Sequence, residues 1–190
     1  GLGKRERLSP LVCGVVYCEI VASCCRVFEM VRAREWTEIL NDWCRNNPQA
    51  RAFNGVCQVH RAEVLQLEGN WREAFAEAER AGDGLKGTTE QTAMATAAYR
   101  RGEILRLRGD FASAETEYRR AAEIAIDPQP GLALLRLAQD RCEDAAAMIR
   151  RALETSADMP RKMALLPAGV EIFISCGDLD AAKVLCAEMN

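Results

Sequence analysis

The chain carries one histidine, His60, and nine cysteines, at 13, 18, 24, 25, 44, 57, 142, 176 and 186. Cys57 and His60 stand three residues apart, so on a helix they share a face, and Glu63 lies one turn further on. That spacing is metal-like. A structural zinc site takes four ligands, and the neighbouring sequence supplies no second pair. His60 therefore reads as an ordinary groove or surface histidine, and no metal or other cofactor is expected. A Cys/His nucleophile needs a third group to orient the base. Neither a glycine-rich elbow nor an orienting residue accompanies this pair, so the chain is not read as an enzyme. Cys24 and Cys25 are adjacent, which on a helix turns their side chains about 100° apart. One is expected to face the core, and a vicinal disulfide is not expected. The cysteine count is odd, no Cys-x2-Cys occurs, and most thiols sit in amphipathic runs where Cys acts as a small hydrophobe. This usage fits a reducing cytoplasm rather than a disulfide framework.

Phosphate chemistry finds no support. Neither Gly-x4-Gly-Lys-Ser/Thr nor Gly-x-Gly-x2-Gly occurs, and the glycine-rich run from Gly82 to Gly87 follows no strand. Arg100, Arg101, Arg106 and Arg108 form a local basic cluster, diluted by Glu103, Glu115 and Glu117. The net charge is −3, from 25 basic and 28 acidic residues. A domain that grips nucleic acid by itself is usually basic, so no direct nucleic-acid contact is expected from this segment. The most apolar run, Leu11–Cys25, is interrupted by Glu19 and followed by Arg26. It falls short of the roughly 20 residues that span a bilayer, and no membrane association is expected.

The elements that must position these residues read as helices. Hydrophobic residues make up 49% of the chain while aromatics are only 6%. Ala, Leu, Arg and Glu dominate, and no alternating strand-type runs stand out. Residues 1–8 are a charged lead-in, a cloning remnant or an inter-helix loop. Ser9-Pro10 starts a helix that is expected to run to about Arg32, with Arg34–Asn46 as its partner, ended by Asn47-Pro48. Trp36, Ile39, Leu40 and Trp43 are expected on one face of that partner. The pairs about Ala52–Glu68 with Trp71–Ala81, a pair starting near Gln91 that turns at Gly109-Asp110 and ends at Asp127, Leu132–Asp140 with Cys142–Ser156, and Arg161–Cys176 with Leu179–Glu188 follow. The run from Gly82 to Glu90 reads as a flexible connection, and Pro167 is expected to kink or delay its helix.

The turn residues Arg34, Gly69, Gly109, Asp140 and Gly177 are spaced by 35, 40, 31 and 37 residues, near the roughly 34-residue period of tetratricopeptide repeats. Ala74, Ala114, Ala145 and Ala182 each lie five residues past a turn, where a small side chain lets two helices approach. The expected fold is an all-α, tetratricopeptide-like α-solenoid of about five antiparallel helix pairs, with units at about 9–48, 49–82, 91–127, 128–158 and 159–190. The first helix of each pair would line a concave face. Projection onto a helical wheel puts Val59, His60, Glu63 and Gln66 there from the second unit, and Tyr99, Arg100, Glu103 and Arg106 from the third. Glu171 takes the place of Glu63 and Glu103 in the last. Such a groove suits a peptide or a small charged ligand. Its acids and arginines can equally pair with one another.

Four stretches carry a family resemblance: Ala33–Pro48 (AREWTEILNDWCRNNP), Val59–Gly69 (VHRAEVLQLEG), Gly102–Gly109 (GEILRLRG) and, most specifically, Gln129–Gln139 (QPGLALLRLAQ). The opening SPLVCGVVYCEIV and the late LLPAGVEIFISCGDLDAA fit the same pattern. Over nearly all of residues 9–190 the chain resembles the helical-repeat portion of large bacterial LuxR-type transcriptional regulators. In that family a repeat region taken to sense a ligand or partner precedes a C-terminal helix-turn-helix that binds DNA. The chain departs from the pattern at Asp140, where Gly is usual, and in its many cysteines. It has no DNA-reading domain of its own, so the resemblance implies either an excised sensor segment or a repeat protein without that part.

The expected function is thus a non-enzymatic sensor or protein-interaction repeat domain of a LuxR-type regulator. The alternative is a stand-alone tetratricopeptide adaptor that docks a peptide with no role in DNA binding. The partners are a protein, a peptide or a small ligand, together with neighbouring domains of a longer chain. The apolar first and last helices would stack on further helices, in the parent chain or in a homodimer.

Overall fold

A computed structural model describes residues 9–27, 29–47, 51–85 and 90–189. The lead-in 1–8, Phe28, Pro48 and the 86–89 part of the glycine-rich run lie outside them. Among the described residues the chain is all-helical, with ten helices and no strand. They are α1 (Pro10–Arg26), α2 (Met30–Asn46), α3 (Arg51–Leu67), α4 (Trp71–Gly84), α5 (Gln91–Leu107), α6 (Phe111–Ile124), α7 (Gly131–Ala138), α8 (Cys142–Thr155), α9 (Met159–Ser175) and α10 (Leu179–Glu188). The first begins as its sequence directs, with Ser9 accepting from the Val12 amide and Pro10 in the first turn.

Four helix pairs share one turn chemistry. Gly69, Gly109 and Gly177 have φ near +80°, and Asp140 has φ 59°. In each turn the amide of this left-handed residue donates back to the carbonyl three before it. The next amide reaches the carbonyl five before it, as in Asn70 to Leu65 (2.9 Å), Asp110 to Leu105 (3.0 Å), Arg141 to Arg136 (2.9 Å) and Asp178 to Phe173 (2.8 Å). This is the Schellman closure, which satisfies carbonyls a helix end leaves open. The residue that completes it also opens the next helix. Its carbonyl accepts from Ala74, Ala114, Ala145 or Ala182, the alanines anticipated from spacing, and all four are buried.

The first pair differs. Glu29 N–H donates to the Cys24 carbonyl at 2.9 Å just past the end of α1, so α1 stops about six residues short of the expected Arg32. Arg34 sits inside α2 and is not a turn residue. Two further expectations need correction. Gly82–Gly84 form the last turn of α4, closed by the amide of buried Leu85, so that part of the glycine-rich run is helix. Pro167 does not delay α9, which begins at Met159 behind an Asp158 cap and runs through the proline. Pro167 is exposed.

The chain divides into two compact units, Gly1–Arg100 and Arg101–Asn190, with the boundary inside α5. In the first, α1 packs on α2 and α3, and α3 on α2 and α4. Its core joins Cys18, Val21 and Cys25 to Ala33, Leu40, Cys57 and Val64. Tyr17 lies 6.0 Å from Trp36 and 5.9 Å from Trp43, ring centre to ring centre. Ile39 was expected on that face but is 44% exposed, because the buried stripe runs Ala33, Thr37 and Leu40 and Ile39 falls a quarter-turn away. In the second unit α7 packs on α6, α8 and α9, and α9 on α8 and α10. Its core gathers Ala133, Ala145, Ile149, Leu165, Leu166, Ile172, Phe173 and Leu185.

Candidate functional site

Within the first unit, α3 and α5 bring together most of the residues picked out from sequence. Glu63 pairs with Arg100 from α5, and the Arg100 guanidinium lies 5.8 Å over the Tyr99 ring centre. His60, one turn before Glu63, is largely buried. Burial lowers its pKa, so the ring stays neutral; Glu63 opposes that shift, Arg100 adds to it, and Glu19 and Arg26 of α1 act more weakly in the same opposed senses. Buried His60 Nδ1 and buried Gln66 Oε1 have no hydrogen-bond partner among the described residues. Val59 does not belong with this group. It is buried against Ala81 and Ala97, a core contact one residue away on the helix from the polar stripe.

Cys57 also points away from His60. Its sulfur lies 3.3 Å from that of Cys44 and 3.9 Å from that of Cys18, between α1 and α2. The Cys57–His60 spacing therefore joins no site. Cys25 is buried, as one of the adjacent pair was expected to be, and burial first, with Glu63 second, pushes its thiol up to about 12. Among the described residues no set of three or more His, Cys, Asp and Glu side chains is arranged to hold a metal ion.

In the second unit, Glu103 and Arg106 serve the interior. Glu103 is 9% exposed. Its carboxylate accepts from the hydroxyl of fully buried Tyr118 and pairs with Arg106. The Arg106 pKa is raised: burial lowers it, but the Glu103 charge and hydrogen bond, with a smaller part from Tyr118, outweigh that. Two glycines make room for the node. A Cβ on Gly102 would come 2.8 Å from the Tyr118 ring, and one on Gly131 would meet both the Glu103 carboxylate and the Tyr118 hydroxyl. The Gln-Pro-Gly run at 129–131 thus has a local reason. Gln129 Oε1 accepts from the Ala133 amide at 3.2 Å, and Gly131 clears space for the Tyr118–Glu103 bond.

Glu171, the third member of the expected acidic series, is exposed on α9 and makes no hydrogen bond or ion pair among the described residues. The arginine cluster is divided among carboxylates. Arg100 goes to Glu63, Arg101 donates to Glu117 at 3.0 and 2.6 Å, and Arg106 goes to Glu103. Across the α6–α7 contact Arg136 grips Glu115 with two bonds of 3.0 and 2.8 Å, which lowers the Glu115 pKa.

Two cysteine groupings were missed from sequence. One is the set of Cys18, Cys44 and Cys57. The other is a disulfide between Cys142, at the start of α8, and Cys176, just past α9, with 5.5 Å between Cα atoms. It departs from the expectation that the thiols stay unpaired. The signal for it was their separation of 34 residues, which places Cys142 beside the Asp140 turn and Cys176 beside the Gly177 turn. No helix among the described residues is long and apolar enough to cross a membrane. A scan against models of known protein families and a search of curated proteins find no match to this chain.

Proposed function

We propose that the helix pairs are tetratricopeptide-like repeats of an α-solenoid, and that the chain is a non-enzymatic sensor or interaction segment of a LuxR-type transcriptional regulator. The repeat reading is supported by four turns of identical hydrogen bonding, each placing a buried alanine at the same step of the following helix. The regulatory context rests on the resemblance carried by QPGLALLRLAQ and the three shorter stretches. Binding is assigned to the stripe of His60, Glu63, Gln66, Tyr99 and Arg100.

The observation that carries the binding assignment is the pair of unmet polar atoms, His60 Nδ1 and Gln66 Oε1, beside the Glu63–Arg100 ion pair. A buried polar atom left without a partner costs roughly 1–3 kcal/mol, and a ligand that supplies the partner recovers it. Gln66 Oε1 accepts only, while a neutral imidazole nitrogen donates or accepts according to tautomer. A peptide backbone presents N–H and C=O groups at regular spacing and can satisfy both, so a peptide is preferred over a simple ion.

Selection from a random peptide display library on the intact chain tests this. Selected peptides should bind the wild type and lose at least about tenfold in affinity, near 1.4 kcal/mol, to His60→Ala and to Arg100→Glu, with circular dichroism unchanged. Peptides that bind all three proteins equally would place the site elsewhere. The stand-alone adaptor is the second reading. A helix-turn-helix encoded downstream of Asn190 favours the regulator, and a stop codon there favours the adaptor.

A further inference from the structure

We propose that Cys44 and Cys57 form a reversible disulfide when the protein meets a hydroperoxide, with Cys18 as a third thiol that can exchange into it. Three helices of the first unit deliver these sulfurs to one place. Cys44 lies in the last turn of α2, Cys57 in the second turn of α3, and Cys18 in the middle of α1. The Cys44 and Cys57 sulfurs are 3.3 Å apart and those of Cys18 and Cys57 are 3.9 Å apart. A disulfide bond is about 2.05 Å long, so closing the nearer pair takes a sulfur displacement of a little over 1 Å, within reach of side-chain rotation. Among the described residues the cluster is not arranged to hold a metal ion.

The three thiols are not equivalent. Cys57 and Cys18 are buried, while Cys44 is only partly so and is the one a small oxidant reaches. Cys57 stands between the other two, with its sulfur in hydrogen-bond contact with both. Its contacts with Cys18 and Cys44, followed by burial, push its own pKa far up, and the hydrogen bond with Cys57 lowers the Cys44 pKa against a smaller effect of burial. The Cys18 pKa is lowered by its contact with Cys57 too, but Cys18 is buried and Cys44 only partly so. The thiolate is the nucleophile, and Cys44, the one within reach of the oxidant, reacts first. Its sulfur attacks the terminal oxygen of the hydroperoxide; the S–O bond forms, the O–O bond breaks, and the alkoxide leaves as the alcohol after taking a proton. The product is Cys44 sulfenic acid. Cys57 sulfur then attacks Cys44 sulfur; the S–S bond forms, the S–O bond breaks, and hydroxide leaves as water with the Cys57 proton. Two thiols give two electrons and one hydroperoxide accepts them. Cys18 can next attack Cys57, transferring the bridge and releasing Cys44 as a thiolate.

The experiment exposes the intact, folded chain to hydrogen peroxide, blocks free thiols with an alkylating agent, and maps peptides without reduction. A Cys44–Cys57 crosslinked peptide should be the first new product, lighter by two hydrogens than the separate peptides and lost on adding dithiothreitol. In Cys57→Ser, Cys44 should stop at a sulfenic acid that dimedone traps. Cys18→Ala should keep the Cys44–Cys57 bridge and lose any Cys18–Cys57 product, which holds the test open if the Cys57 variant fails to fold. First oxidation at Cys13, Cys24, Cys25 or Cys186 would overturn the proposal. So would wild-type Cys44 that passes to sulfinic acid with no bridge.

Discussion

Glu103 shows how one residue's chemistry depends on what lies across a turn. On its own helix it is a polar residue on the stripe that carries Tyr99, Arg100 and Arg106, and from sequence it belongs with Glu63. The two share a helical position but not a role. Glu63 meets Arg100 of α5, whereas Glu103 lies beneath Tyr118 and beside Gly131. Tyr118→Phe removes the hydroxyl that Glu103 accepts from and should cost roughly 1–3 kcal/mol in urea unfolding. Gly131→Ala forces a methyl group against both partners and should cost a similar amount by overpacking, about 1–3 kcal/mol. An unchanged urea midpoint for either would remove the node from the core. Glu103→Lys accordingly probes stability, and Arg100→Glu is the cleaner probe of binding.

His60 makes a pH prediction at the same scale. Its pKa in the folded chain lies below the ordinary 6.5, so the unfolded chain binds more protons in the interval between the two values. Stability is therefore full above pH 6.5 and falls as pH drops through that interval. Thermal melts from pH 8 to 5 should show a slope that His60→Gln lacks. A ligand carboxylate seated on the imidazole would favour the protonated ring and flatten that slope. Identical profiles for wild type and His60→Gln would mean that the ring is solvated.

At the scale of elements, the helices and their pairing were largely legible. Three of the four Schellman turns have a sequence signature, a glycine with a capping residue after it, and the starts of α4, α6 and α10 fall where it puts them. The first turn was misplaced because it has no glycine to announce it. The periodicity runs on past Arg26, and the closing bond at Glu29 is a backbone contact with no residue preference. Asp140 is the test of the shared turn. It holds a left-handed φ of 59°, a conformation that favours glycine over residues with a Cβ. Asp140→Gly should stabilise the chain by roughly 0.5–1 kcal/mol, and a loss of stability in urea titration would mean that the aspartate side chain holds the turn. Ala114→Trp should do the reverse, overpacking the α6 contact at a cost of about 1–3 kcal/mol. The thiol cluster was not legible at this scale. Its members come from three helices, and Cys57 presents its sulfur to α1 and α2 while its apparent sequence partner faces elsewhere.

For the whole molecule, composition anticipated the helical class, and the boundary between compact units inside α5 was not anticipated. Each unit leaves apolar side chains in water. Val12, Val15 and Val16 are exposed on α1 of the first, and Ile174, Val184 and Met189 in the second. The three valines fall within two turns of one helix and form a stripe of the kind that marks association rather than scattered surface residues. Sedimentation of the wild type should show concentration-dependent self-association, and the pair Val12→Glu with Val16→Lys should abolish it. A wild type that sediments as a monomer throughout the micromolar range would leave those valines to another part of a longer chain.

The shared turn also sets where this chain tolerates a change of length. In four pairs only three residues separate the helices, and the third closes one helix while opening the next. No slack remains. One added residue would advance the second helix by about 100° and rotate its alanine out of the contact. The link Ser156–Asp158, between α8 and α9, instead joins two ends with separate caps. A reporter loop spliced after Ser156 should leave the fold standing, and the same loop spliced after Gly109 should destroy it.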